Sequence, residues 1–192
     1  MCLPSGRSIA QDGGELEVTV SIESLTSGHR VPTGFTPERQ LWLEVRVTDD
    51  SGEEVFVSGD LDEHTNLRNS HSLLVQEGLE EEDPWLVNLQ SINEAHGGAF
   101  NDQGAIEGED GPFTHEVAFP FDATTVVRQS LLPGEVRTWP YRFDALGSGP
   151  YTASVALKYR NLPPYVLQLL GAEGAVGALK VFTIDTAEAT TP

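Results

Sequence analysis

Glu15-Leu16-Glu17-Val18-Thr19-Val20-Ser21-Ile22 decides the fold. Its apolar side chains recur at every second position. Successive side chains of an extended chain point to opposite faces, so this period buries one face of a strand and leaves the other in water. The same period returns on either side of later turns. Leu41, Leu43, Val45 and Val47 repeat it, Asp49-Asp50-Ser51-Gly52 supplies turn residues, and Val55, Phe56 and Val57 continue as the second arm of a hairpin. Phe113, His115, Val117, Phe119 and Phe121 fall on one face of a further strand. Trp139, Tyr141 and Phe143 form another, Tyr151 to Tyr159 a third, and residues from about Leu179 to Ile184 a last one.

Strands separated by turns, in a chain with 19 Gly and 12 Pro among 192 residues, predict an all-β domain. The expected architecture is a two-sheet antiparallel β-sandwich spanning about 15–186, with an N-terminal extension over 1–14 and a tail over 187–192. One short helix is predicted near 163–171, where Pro163-Pro164 opens a run containing Tyr165, Val166, Leu167, Leu169 and Leu170 that ends at Gly171. From about 60 to 111 the alternation lapses. This stretch reads as a long irregular insertion, and insertions of that length in a compact domain usually carry function.

The formal net charge of -19, from 30 acidic and 11 basic residues, opposes nucleic acid and anionic lipid and favours cationic partners or metal ions. Cys2 is the single cysteine, so the chain has neither an intrachain disulfide nor a Cys-x-x-Cys-His for covalent haem. No apolar run reaches the roughly 20 residues of a membrane helix, so an integral membrane protein is not expected. Met1-Cys2-Leu3-Pro4 does not read as a signal peptide. Cys2 is either a lipid-anchor cysteine or a processing remnant, and the chain looks like a mature, exported product. There is no Gly-x-Ser-x-Gly elbow, Gly-rich phosphate loop or His-Glu-x-x-His motif, and the expectation is that the protein is not an enzyme.

Without thiolates, a transition-metal site must come from imidazole and carboxylate. His29, His64, His71, His96 and His115 are available. His64 follows Asp60, Asp62 and Glu63, which places an imidazole beside carboxylates. His115 shares its strand face with Phe113, Val117 and Phe119, where it is either a core histidine bonded to a backbone carbonyl or a ligand partnered with His64. His29 precedes Arg30-Val31-Pro32-Thr33-Gly34 and is expected to hold that turn. For His71 and His96, ligand and surface histidine stay open. Asp49, Asp50, Asp60, Asp62 and Asp83 offer oxygens suited to calcium, although none has the spacing of a helix-loop-helix calcium site.

Ser27-Gly28-His29-Arg30-Val31-Pro32-Thr33-Gly34-Phe35, with Arg39, Trp42-Leu43-Glu44-Val45 and Val57-Ser58-Gly59, resembles a β-domain found at the C-terminus of many multihaem c-type cytochromes. Leu86-Val87-Asn88-Leu89-Gln90-Ser91 and Tyr159-Arg160-Asn161-Leu162-Pro163-Pro164-Tyr165 also look like that domain. The same type of fold is similar to the copper-repressible surface proteins of methane-oxidising bacteria, the MopE and CorA group. In those proteins two histidines and a tryptophan-derived kynurenine hold copper(I). The resemblance implies an extracellular, cell-surface or periplasmic protein that handles copper, with His64 and His115 as ligands. The tryptophan two positions before the first histidine is absent, because position 62 is Asp. Asp62 is the expected third, oxygen ligand, which favours copper(II) or another divalent ion. The alternative reading is a non-catalytic accessory or docking domain working beside a multihaem cytochrome, its acidic face meeting a basic partner.

Overall fold

The computed structural model describes residues 2–97, 99–100, 106–107, 114–117 and 122–191, with the backbone alone for 2–6, 99–100, 106–107 and 114–116. The alternating stretch lies in β2 (Glu15–Ser24), where every second side chain from Leu16 to Ser24 is buried and the intervening ones are partly exposed. β1 (Cys2–Asp12) folds back on β2 as a hairpin, and β10 (Val136–Asp144) pairs with its other edge, both antiparallel. This three-stranded sheet, β1-β2-β10, faces a four-stranded one. The second sheet runs β12-β11-β3-β4, built from β3 (Gln40–Thr48), β4 (Glu54–Ser58), β11 (Thr152–Arg160) and β12 (Phe182–Thr190). Two packed antiparallel sheets make the domain a β-sandwich, as the sequence predicts.

The core lies between these sheets. Leu16, Val18, Val20 and Ile22 meet Leu41, Leu43, Val45 and Val47 together with Val155 and Leu157 of β11, all nearly inaccessible to solvent. Burial of each such side chain contributes about 1.5–3 kcal/mol, which makes this face of the sheets the main source of stability. Phe56 of β4 extends the contact, stacking on Phe143 at 4.0 Å and meeting Tyr141 edge-on at 6.1 Å.

Smaller elements sit to one side. β5 (Ile92–His96) pairs with β8 (Thr114–Glu116) and β9 (Thr125–Val127), and β6 (Ala99–Phe100) pairs with β7 (Ile106–Glu107). Of the strand expected through Phe113 to Phe121, residues 114–117 are described and include β8; Phe113, Phe119 and Phe121 lie outside the described residues. The helix expected near 163–171 is α2 (Pro164–Leu169).

Three boundaries differ from the sequence reading. Residues 1–14 do not stand apart as an extension, because β1 is an integral strand paired with β2 from Cys2↔Ser24 to Asp12↔Glu15. Nor are residues 187–192 a tail, since β12 reaches Thr190 and Thr191 is still tied to Tyr151 by two hydrogen bonds of 2.9 Å. The last strand begins at Phe182 and continues well past Ile184. The cause is common to both ends. The inward positions of β12 are filled by Ala187 and Ala189, paired with Val155 and Ala153, and of the described β1 side chains, 7–12, Ile9 alone is buried, so neither strand shows a strong apolar alternation there.

Over residues 61–97 the insertion is irregular but well tied. After a bridge between Leu61 and Leu67 it forms α1 (Leu73–Gln76), capped by the Ser72 hydroxyl, and buries Leu67, Leu74 and Leu89. It then returns to the sandwich: the Leu43 amide donates to Val87 O at 3.0 Å and the Leu89 amide to Leu41 O at 2.7 Å. Residues 87–89 thus continue the β3 edge that β4 occupies further along, and β5 follows directly.

Candidate functional site

Gln40 and Trp42 point away from the sandwich core, yet both are buried, because the insertion covers that face of β3. Arg160, at the end of β11, is buried with them. Its guanidinium lies 5.5 Å over the Trp42 ring, donates from Nε to Gln40 Oε1 at 3.0 Å, and gives a second hydrogen bond to the same oxygen. A third goes to the Thr65 carbonyl at 2.6 Å. Burial pulls the Arg160 pKa down to about 10, against the opposing pull of the Asp62 charge, and the group stays cationic at neutral pH. Beside it the indole N–H of Trp42 donates to Gly59 O at 2.9 Å. Asp83 closes the frame by accepting from the Ser58 hydroxyl (2.9 Å), the Gly59 amide (2.7 Å) and the Trp85 amide (2.9 Å).

The predicted metal residues meet this frame unequally. Asp62 is buried, and both of its oxygens are engaged: Oδ1 accepts from the Asn66 amide at 2.8 Å and Oδ2 from the Ser72 hydroxyl at 2.6 Å. With the Arg160 charge acting on it as well, this carboxylate is occupied in holding the 62–66 turn and does not fit the role of third ligand. His64 stands exposed on that turn, next to Thr65 in the left-handed region at φ 64°. The backbone of His115 lies in β8 opposite Ala95, and its side chain is outside the described residues. Among the described residues no group of three or more His, Cys, Asp or Glu side chains is arranged to hold a metal ion.

The other candidates have structural work. Asp49 Oδ1 accepts from the Ser51 hydroxyl and the amides of Ser51 and Glu53, which fixes the β3–β4 turn. Asp60 pairs with Arg68 at 2.7 Å. His71 stacks on Tyr165 at 4.0 Å, and its amide donates to Asn69. His96 ends β5, its amide donating to the Thr124 hydroxyl. His29 lies exposed in the 28–36 loop, with its carbonyl accepting from the Thr26 hydroxyl.

Two clefts open where the insertion, that loop and the small sheet meet. The first, about 240 Å³, is floored by Gln90, Ser91 and Asn93 and walled by the His71–Tyr165 pair. Gln90 donates to the Pro37 carbonyl and to the Tyr165 hydroxyl, so two of the motif segments noted in the sequence meet there. Ser91 Oγ and both polar atoms of the Asn93 amide are buried without a hydrogen-bond partner among the described residues. Asn93 also lines the second cleft, about 450 Å³, beneath the 28–37 loop and facing Arg30, Phe35 and Arg128. That loop is tied to the rest of the domain by reciprocal hydrogen bonds between Val31 and Leu131. The loop is legible in the sequence and its facing residues are not, because Asn93 lies in the short strand β5 and Arg128 just past the end of β9, and only the tertiary fold brings them to it.

Glu38, just beyond this loop, is 8% exposed, and neither carboxylate oxygen has a partner among the described residues. Burial holds its pKa above the ordinary glutamate value of 4.5. The folded pKa is raised, so the neutral form's contribution is fully present below the unfolded value and is lost as pH rises through the folded one. Glu38→Gln is therefore expected to stabilise the protein by about 1 kcal/mol at pH 7 and by nothing near pH 4. Thermal unfolding at both values measures it, and an equal gain at both would contradict the burial argument.

The arrangement defines a class: an antiparallel β-sandwich with an irregular insertion, which together with the 28–37 loop frames two recessed clefts. No protein-family model matches the chain, and a search of curated proteins finds no match. Among solved structures, the penta-haem cytochrome c552 of Thermochromatium tepidum is similar over 96% of this chain, with a TM-score of 0.59 and 22% identity. The likeness shows the fold. This chain spans 38% of the length of that cytochrome chain.

Proposed function

We propose that the protein is a non-catalytic accessory domain that docks on a multihaem c-type cytochrome outside the cytoplasm, at the cell surface or in the periplasm. One observation carries the reading. Nearly the whole chain, 96%, superposes on a 38% portion of a penta-haem cytochrome, while a sequence with one cysteine has no motif for attaching haem. A domain of this fold without its own haem would act through contact with a protein that has them. The net charge of -19 adds long-range attraction to a basic partner surface.

The test is association of the full chain with a multihaem c-type cytochrome from the same source, read by biolayer interferometry at low and high salt. Affinity is expected to fall at least about tenfold between about 0.02 and 0.5 M salt, as the screening length contracts. No association at any ionic strength, or one indifferent to salt, retires the reading.

Copper handling through His64 and His115 is a second reading. What favours it is the exposed His64 imidazole on a turn held by Asp62. Elemental analysis of the same preparations decides it: the reading requires bound copper that His64→Ala and His115→Ala each diminish, and unchanged copper content ends it.

A further inference from the structure

We infer that the cleft beneath the 28–37 loop is a carboxylate seat, and that its occupant, on the docking function proposed above, is the propionate edge of a haem in the partner cytochrome. The protein carries 30 acidic and 11 basic residues, so an unneutralised cationic recess is against the trend of its surface. Arg46, Arg68, Arg137, Arg142 and Lys158 are each ion-paired with carboxylates. Among the described residues Arg7, Arg30, Arg39, Arg128, Arg160 and Lys180 are not, and three of these six, Arg30, Arg39 and Arg128, stand together at this loop.

Arg128 is exposed on the cleft wall with no hydrogen-bond or ion-pair partner among the described residues. Arg30 makes one long contact of 3.5 Å to the Ser130 carbonyl. Arg39 packs its guanidinium on Gly34 and donates to the Thr33 carbonyl, which fixes the loop rather than the ligand. No acidic residue lines the cleft among the described ones. Glu135 feels the Arg30 charge from outside, but its carboxylate is bonded to Arg137 and to the Leu132 amide.

A second observation points to a ligand. Asn93 is 3% exposed, lines this cleft, and both its amide nitrogen and its oxygen are without partners among the described residues. A buried carboxamide left so is destabilising unless something completes it. The amide nitrogen and two guanidinium groups are donors suited to a carboxylate. Phe35, 48% exposed, and Val126, 39% exposed, put an apolar surface on the same cleft. Donors for an anion beside an apolar patch match a flat apolar ring system with carboxylates along one edge, which is the chemistry of a haem with its propionates.

The experiment uses the full chain and a c-type haem carried on a short peptide, with the dimethyl ester of the same haem peptide and inorganic phosphate as comparison probes. Saturable binding of the free-acid haem peptide is expected, with the ester at least about tenfold weaker, since a charge-assisted hydrogen bond corresponds to about that factor. Arg128→Ala, which removes an exposed side chain, and Arg30→Ala are each expected to weaken binding about tenfold. The proposal is overturned if the ester binds equally well, if both arginine variants bind as the parent does, or if phosphate binds and the haem peptide does not. Its failure is distinguishable from that of the docking function. Parent-like association of the arginine variants with the cytochrome rejects this cleft alone. Haem-peptide binding through the arginines with no cytochrome association rejects the docking function alone.

Discussion

Gly59→Ala is expected to destabilise the protein by about 4 kcal/mol, lowering Tm by roughly 10 °C, among the larger effects a single methyl group can have. A Cβ at this position would sit 1.9 Å from the Leu43 carbonyl oxygen and 2.9 Å from its carbon. Both are backbone atoms in the middle of β3, so no side-chain rotation relieves the contact. The residue also has φ 75°, where a side chain adds about 1–2 kcal/mol of strain. Moving the chain away would break the Gly59 amide bond to Asp83 and the Trp42 indole bond to Gly59 O. Gly52→Ala is the control, because Gly52 has φ 83° but open space around its Cβ position. Equal losses in the two variants, by denaturant unfolding, would mean that crowding against β3 contributes nothing.

Arg160→Ala is expected to cost about 3–5 kcal/mol, from two acceptors left without a donor at about 1–3 kcal/mol each and the lost contact with Trp42. The guanidinium is buried and bonded to neutral acceptors rather than directly to a carboxylate, so the stability it brings comes from completing Gln40, the Thr65 carbonyl and the face of Trp42. Its removal leaves Gln40 Oε1 and the Thr65 carbonyl without their donor in a covered site. Arg160→Lys should recover little, since one ammonium cannot reproduce the planar fork that reaches both Gln40 and Thr65. The turn carrying His64 should loosen as well, and faster hydrogen exchange at the Asn66 amide would register it. A loss under about 1 kcal/mol with unchanged exchange would show that the arginine is incidental to the frame.

These two positions mark where sequence reading reaches its limit. Leu16 to Ile22 and Leu41 to Val47 are legible because one buried and one solvated face impose a period of two, and the sandwich follows. β12 escapes because Ala187 and Ala189 satisfy the same geometry with side chains too small to stand out, and β1 because Ile9 is the one buried side chain among the described ones at 7–12. Trp42, Gly59, Gln90, Arg160 and Tyr165 could be singled out as motif residues, but their purpose could not. Each is defined by a partner more than ten residues away in the chain, Arg160 by Gln40 at a separation of 120. The same holds at the candidate site. Asp62 beside His64 looks like a ligand pair in one dimension, and in three Asp62 faces Asn66 and Ser72 while Arg128 and Asn93 converge on a loop that precedes them by some sixty residues or more.

The return of residues 87–89 to the free edge of β3 carries a consequence for how the molecule comes apart. Amides on both sides of that seam, at Leu43 and Leu89, are protected by the same pair of strands. Residues 61–89 are therefore expected to open together with the sheet beside them, as one foldon. A partner that grips the clefts on this side would clamp the sandwich itself, and hydrogen-exchange protection gained on docking should spread into the centre of the sheet.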